Sequence, residues 1–300
     1  MSKQKGIVQE ESNGFSALLD CHCTLGIDEA GRGPVLGPMV YGGFVCRTDR
    51  IDDLKSEFSV DDSKALTEEK RTEIFTKMQT KEYEDWLGYA LEIISPQYIT
   101  KTMLSLEKQS LNETSHDAAI SLIRRCQSAG IILDTVYLDT VGPPESYQAK
   151  LSRLFPQLEI VVSKKADSLY PVVSAASICA KVTRDKLVRE WSFDAERSFI
   201  TIPEEGIGSG YPADPVTSAF LQKNVDPIFG FPSIVRASWQ TADTLLQKKG
   251  CRVTWQDEDD AGASRKGRAL TEFFGSGKAP RPVLRAPYFV ERRLRSCQQL

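Results

Sequence analysis

The sequence predicts an α/β fold: a mixed five-stranded sheet flanked by helices, with a helical C-terminal extension. Three observations carry that expectation. Five short apolar runs have the length and the β-branched and aromatic content of strands. Only a short connection separates the first two, which favours an antiparallel pair. The later runs are joined through helical patterns, which yields a sheet with helices on its faces.

Residues 1–22 lack periodicity and read as a flexible lead-in. Residues 24–28 form a first strand that ends on Asp28, followed by a glycine-rich turn. Residues 39–45 and 86–94 are the next two strands, the latter stopped by Ser95-Pro96. Residues 115–126 read as an amphipathic helix, with Ala119, Leu122, Ile123 and Cys126 on one stripe. Residues 136–139 and 158–162 complete the sheet. A long helix runs over 171–191, with Pro171 suited to its first turn. Residues 23–248 thus make one domain with a helical C-terminal part. Residues 249–300 make a basic tail. Within it, 251–300 hold ten Lys and Arg against six Asp and Glu, while residues 1–250 carry −7.

The 300 residues carry a net charge of −3, which excludes a surface that is basic throughout but not a local basic groove. Seven cysteines with no C-x-x-C pair point to reduced thiols rather than a disulfide framework. Cys21-His22-Cys23 lacks partners for a zinc site, since His116 is the only other histidine. The first residues lead into acids rather than an apolar core, unlike a signal peptide, and no stretch has the ~18 consecutive apolar residues of a membrane span. A soluble intracellular protein is the expectation.

Three acidic positions stand out. Asp28-Glu29 closes an apolar strand and is followed by Gly31-Arg32-Gly33. A carboxylate at such a place is costly unless it is paired or bound to a cation. Neighbouring strand residues point to opposite faces, so both acids reach one site only if the backbone turns there, as glycine permits. A solvated strand end marking a turn is the alternative. Val136-Tyr137-Leu138-Asp139 repeats the pattern, and Asp139 converges with Asp28 if the two strands are parallel neighbours. Asp167 precedes the long helix, where a turn or cap role also fits. The four acids together offer the hard oxygen ligands that magnesium prefers. Two such ions about 3.5–4 Å apart serve phosphodiester hydrolysis.

Basic residues Lys164, Lys165, Lys181, Arg184, Lys186 and Arg189 fit a phosphate-binding face or an ordinary solvated helix face. Asp62-Ser63-Lys64 fits a helix cap or a phosphate contact. Tyr211, in Gly208-Ser209-Gly210-Tyr211-Pro212, fits packing or stacking on a sugar or base.

Taken in order, these segments resemble the signatures of type 2 ribonuclease H. They are residues 27–38 (Ile-Asp-Glu-Ala-Gly-Arg-Gly-Pro-Val-Leu-Gly-Pro), 62–64, 138–142, 165–167, 170–185 and 208–212, and the likeness spans about 24–245. Asp139-Thr140-Val141-Gly142 and Phe229-Gly230-Phe231-Pro232 are most similar to the catalytic A subunits of the eukaryotic members. The resemblance implies a ribonuclease H-like fold and a metal-dependent endoribonuclease using two Mg2+ ions, or Mn2+. Such an enzyme cuts RNA in RNA–DNA hybrids and incises 5′ to single ribonucleotides in duplex DNA, leaving 3′-hydroxyl and 5′-phosphate ends. It implies a role in ribonucleotide removal during DNA replication and repair, and a nuclear location.

The same resemblance assigns catalysis and metal binding to Asp28, Glu29, Asp139 and Asp167. It gives reading of the ribose 2′-hydroxyl to Gly31, Arg32 and Gly33, largely through backbone groups. Tyr211 stacks on that sugar, and Lys64 and Lys181 are candidates for phosphate contacts. Accessory B and C subunits are implied partners, docking on the tail near Tyr288, Phe289 and Val290. Leu270-Thr271-Glu272-Phe273-Phe274 is similar to the apolar part of a sliding-clamp motif, although Gly267 stands where that motif has glutamine. Two other classes share these residues: a non-catalytic hybrid-binding scaffold, and a nuclease of the same fold that cuts all-DNA substrates.

Overall fold

The computed structural model describes residues 6–58, 66–193, 200–204 and 206–251. The chain falls into two units, Met1–Cys251 and Arg252–Leu300. The second unit, with the expected docking and clamp segments, lies outside the described residues, as does Asp62-Ser63-Lys64.

The strands are β1 (Ile7–Glu11), β2 (His22–Ala30), β3 (Met39–Arg47), β4 (Leu87–Ile94), β5 (Ile132–Asp139) and β6 (Glu159–Ser163). They form one mixed sheet in the order β1-β4-β3-β2-β5-β6. β2 pairs antiparallel with β3 and parallel with β5, and β6 runs parallel to β5. The expected five strands are therefore six. The additional one lies in the stretch expected to be a flexible lead-in, which also contains α1 (Asn13–Ala17). β1 is polar and mostly exposed because it is an edge strand, so it carries no buried face that the sequence could show. Contacts from elsewhere hold it: Arg125 donates to the carbonyl of Glu10 at 2.9 Å, and Gln9 donates to Glu92 at 2.7 Å.

Period-two alternation divides the side chains between two cores. Leu25, Ile27, Met39, Tyr41 and Val45 face one layer. It contains α4 (Pro96–Leu104), α5 (Leu111–Ser128) and α6 (Pro144–Leu154). α5 begins four residues before its expected start, because Ser110 and Glu113 form a capping box. Val40, Phe44 and Cys46 face the other layer. Here lie α2 (Ile51–Phe58), α3 (Glu68–Met78), the short α7 (Ala166–Leu169) and the long α8 (Pro171–Arg189). Each large apolar side chain buried in either core contributes about 1.5–3 kcal/mol.

Two glycines let α8 lie directly on the sheet. A Cβ at Gly26 would stand 2.3 Å from the Val172 carbonyl, and one at Gly42 would stand 2.5 Å from the Ala176 oxygen. The small residues of α8, Ser174-Ala175-Ala176-Ser177, meet the same need from the helix side. α9 (Pro215–Lys223) and α10 (Gln240–Lys249) form the helical C-terminal part. Its apolar residues Phe220, Leu221, Ile234 and Val235 pack on Val35 and Leu36, just past the glycine-rich turn. No disulfide joins the described cysteines.

Candidate active site

The last aligned pair of the parallel strands β2 and β5 is Ile27 with Leu138. Asp28 and Asp139 follow immediately, one on each strand. Asp28 is only 6% exposed, and its side chain takes the α8 face, where the Ser177 hydroxyl donates to it. Its Oδ1 also accepts the Glu29 N–H at 2.8 Å. The expected backbone turn at the two acids is absent: β2 continues to Ala30, so Glu29 takes the opposite face by strand alternation, directly across the ladder from buried Tyr41, and it shares the site with Asp28 and Asp139 only through their charges. Burial holds both carboxyls above the ordinary carboxylate range. The charges of Asp139 and Asp167 add to this at Asp28; at Glu29 the charge of Asp28 adds and Arg32 opposes.

Asp139 reaches toward the fourth acid through the backbone. Its Oδ1 accepts N–H groups from Thr140 at 3.0 Å and from Ala166 at 3.3 Å, the latter being the first residue of α7. Asp167, the next residue, is 1% exposed. Lys165 enters α7 in the left-handed region at φ +56, which costs an ordinary side chain on the order of 1 kcal/mol.

The donor set fits a hard divalent cation. All four groups are carboxylates, and burial and mutual repulsion leave Asp28 and Glu29 resisting ionisation, which a cation would relieve. Among the described residues, the acids share this electrostatic neighbourhood without closing into a cluster of three or more metal ligands.

Beside the acids, β2 ends and the chain turns at Gly31, whose φ of +78 suits glycine and where a Cβ would meet the Pro38 oxygen at 2.6 Å. The Arg32 guanidinium is directed to the start of α5, donating to Ser115 Oγ at 2.6 Å and to Asn112 Oδ1. Gly33 lies under the Tyr211 ring: a Cβ there would be 3.3 Å from a ring carbon. Tyr211 is 51% exposed, so its ring has a free face. The Gly210 carbonyl accepts the Val35 N–H at 2.7 Å, locking the tyrosine loop to the turn. Asp214 organises that loop, accepting Ser209 Oγ at 2.7 Å and the Val216 N–H at 3.0 Å. Hydrogen bonds from Ser209, backbone first, hold its carboxyl down to about 2.

The predicted residues Asp28, Glu29, Asp139, Asp167, Gly31, Arg32, Gly33 and Tyr211 therefore occupy one end of the sheet. Lys181 lies one turn of α8 beyond Ser177, on the same helical face. Lys64 is outside the described residues. Sequence reasoning missed Ser177, Asn112, Ser115 and Asp214 as supports of the site. Only Asp214 carried a local signal, the Asp214-Pro215 start of a helix.

The fold and site are those of a ribonuclease H-type nuclease, and the comparisons identify the family. Residues 25–242 match the model for ribonuclease HII, and the chain belongs to that family. It is similar to the A subunit of ribonuclease H2 from Caenorhabditis elegans, 48% identical over 273 residues and 91% of each chain. It is also similar to the same subunit from Homo sapiens, 47% identical over 280 residues, 93% of this chain and 91% of the human one. Among solved structures it resembles the ribonuclease H2 of Pyrococcus horikoshii, with a TM-score of 0.61 and 31% identity over 75% of this chain and 98% of that one. It also resembles the RNase HII solved in complex with PCNA from Archaeoglobus fulgidus, at 0.59 and 29% over 78% and 99%. The chain is thus a ribonuclease HII-type endoribonuclease, a metal-dependent enzyme with the mixed sheet of that group.

Proposed function

We propose that this enzyme hydrolyses the RNA strand of RNA–DNA hybrids and incises 5′ to single ribonucleotides embedded in duplex DNA, leaving 3′-hydroxyl and 5′-phosphate ends. One observation carries the reading: Asp28 and Asp139 each follow the last aligned pair of the adjacent parallel strands β2 and β5, and Gly31–Gly33 follows the end of β2 with Tyr211 over Gly33. In this reading the acids that would hold the metal adjoin the turn that would contact the sugar.

Asp28, Glu29, Asp139 and Asp167 would hold the metal. Two divalent ions, Mg2+ or Mn2+, supply water activation and charge neutralisation for phosphodiester hydrolysis when bound. The chain's own residues supply selectivity. The Gly31–Gly33 backbone hydrogen-bonds the ribose 2′-hydroxyl, the group that distinguishes RNA from DNA. A site built for a hydroxyl rejects the analogue lacking it, because its own polar groups are then left unpaired. Tyr211 stacks on that sugar, and Lys181 and Lys64 contact phosphates.

The reading extends to partners and place. The curated relatives are named as A subunits, which supports accessory B and C subunits. The archaeal relative's complex with PCNA supports a sliding-clamp contact, for which residues 270–274 are the candidate. We further propose a role in removing ribonucleotides during DNA replication and repair and a nuclear location, in keeping with the eukaryotic sources of the A-subunit relatives.

The test is cleavage of a duplex containing one ribonucleotide, with magnesium and the accessory subunits, by wild type and by Asp28→Asn. Wild type cuts and the variant does not; equal cutting by both would sink the assignment. Cutting of an all-DNA duplex would favour a different nuclease on this fold.

A further inference from the structure

Arg236 is 0% exposed, and every hydrogen bond described that it donates goes to a backbone carbonyl of the glycine-rich turn or its continuation. Nη2 donates to Gly31 O at 2.6 Å, Nη1 to Arg32 O at 3.2 Å and Nε to Gly37 O at 2.9 Å. Its own backbone N–H donates to Val35 O at 2.9 Å. The guanidinium stacks on Trp239, 4.8 Å from the ring centroid. The Trp239 indole N–H donates to Gly33 O at 3.0 Å. Two side chains thus take the three successive carbonyls of the turn. The segment bearing them is anchored to α4, since the Ala237 N–H donates to Thr100 Oγ1 at 3.1 Å.

A trans peptide unit directs its C=O and N–H in opposite directions. Carbonyls of Gly31 and Arg32 drawn toward Arg236 therefore turn the Arg32 and Gly33 N–H groups the other way. Neither of those N–H groups is bonded within the described residues. A buried cation held by carbonyls alone is an expensive way to fill space. Burial, with Arg184 nearby, lowers the Arg236 pKa to about 9, and an apolar residue of similar volume is often the more stable choice. Its rigid fork is what reaches three carbonyls at once, which a lysine ammonium does not reproduce.

We propose that Arg236 and Trp239 are positioning residues for sugar recognition: Arg236 holds the Gly31 and Arg32 carbonyls inward and so aims the Arg32 and Gly33 N–H groups at the ribose 2′-hydroxyl, while Trp239 supports the guanidinium and pins Gly33 itself through its carbonyl, whose peptide partner Pro34 carries no N–H. This rests on the proposed reading of ribonucleotide-containing duplexes. The test uses the full chain with its accessory subunits and measures binding to a duplex with one ribonucleotide and to the same duplex in all-DNA form. A chelator present throughout prevents cutting.

Wild type prefers the ribonucleotide duplex. Trp239→Phe, which keeps the ring beneath Arg236 but loses the indole N–H, reduces that preference about five- to tenfold, as expected for a misaligned hydrogen bond. Arg236→Lys reduces it at least as much although the charge is kept. With magnesium, both variants raise KM on the single-ribonucleotide duplex more than they lower kcat. An unchanged preference in Trp239→Phe, with only a lower Tm, would overturn the proposal, and this variant decides alone if Arg236→Lys fails to fold. A wild type with no preference would overturn the underlying reading, and this proposal with it.

Discussion

Asp28 and Asp139 occupy consecutive positions across two parallel strands, each the first residue past the aligned pair Ile27–Leu138. The sheet itself sets this proximity, while Ser177 of α8 meets Asp28 from one face. Like charges gathered at a buried strand end oppose folding and favour a bound cation.

Magnesium or manganese at about a hundred times its Kd therefore stabilises the wild type by about 2.7 kcal/mol. In a chain of this size that is a Tm rise of roughly 5 °C or more. Asp28→Asn folds with a Tm no lower than wild type and shows a much smaller metal-induced rise. Differential scanning fluorimetry with and without the metal checks this, and equal shifts in both proteins would contradict it.

Tyr211→Ala should lose more activity on a single embedded ribonucleotide than on a long hybrid, where many ribonucleotides offer alternative registers. Asp214→Asn should reproduce part of that bias without touching the ring, because Asp214 holds the Ser209 hydroxyl and caps α9. Comparing kcat/KM for each variant on both substrates reads the effect. Equal losses on the two substrates would argue against a sensing role.

His116 ties α5 to the loop after Asp139. Its Nε2–H donates to the Val141 carbonyl at 3.2 Å, its Nδ1 accepts from Lys150 at 3.4 Å, and its ring stacks on Tyr147 at 4.0 Å. Lys150 as donor fixes the neutral tautomer. Burial lowers the His116 pKa, Lys150 and Arg32 add to that, and the Val141 carbonyl and Asp117 oppose it. The unfolded chain then binds the proton more readily, so the stability from neutral His116 is present above the unfolded pKa of ~6.5 and is lost as pH falls below it. Urea midpoints at about pH 8 and about pH 5.5 should fall further for wild type than for His116→Gln, and equal falls would contradict this.

Gly26→Val should cost about 3 kcal/mol or more, since a Cβ 2.3 Å from the Val172 carbonyl forces α8 off the sheet. Activity should fall with stability, because Ser177 moves with the helix. A urea midpoint within error of wild type would show that α8 does not need this approach.

Much of this was legible where chemistry is local. Asp28 and Asp139 each interrupt an apolar run at a strand end, and a short link between the first two strands marks an antiparallel pair. β1 escaped notice because an edge strand rich in acids carries no buried face; Arg125 and Glu92, far along the chain, hold it in place. The start of α5 was displaced because its Ser110–Glu113 capping box lies before the apolar stripe begins. Arg236 and Trp239 gave no signal, since their partners at Gly31–Gly37 lie about 200 residues away and exist only once the chain has folded.

The measurement that most directly tests the account is the mapping of product ends. A duplex with one ribonucleotide, labelled on the ribonucleotide-containing strand, is incubated with the complete enzyme and magnesium. One incision on the 5′ side of the ribonucleotide is predicted, with a 3′-hydroxyl upstream, a 5′-phosphate on the ribonucleotide, and no product from Asp139→Asn. Incision on the 3′ side, cutting of the matched all-DNA duplex, or undiminished cutting by Asp139→Asn would contradict it.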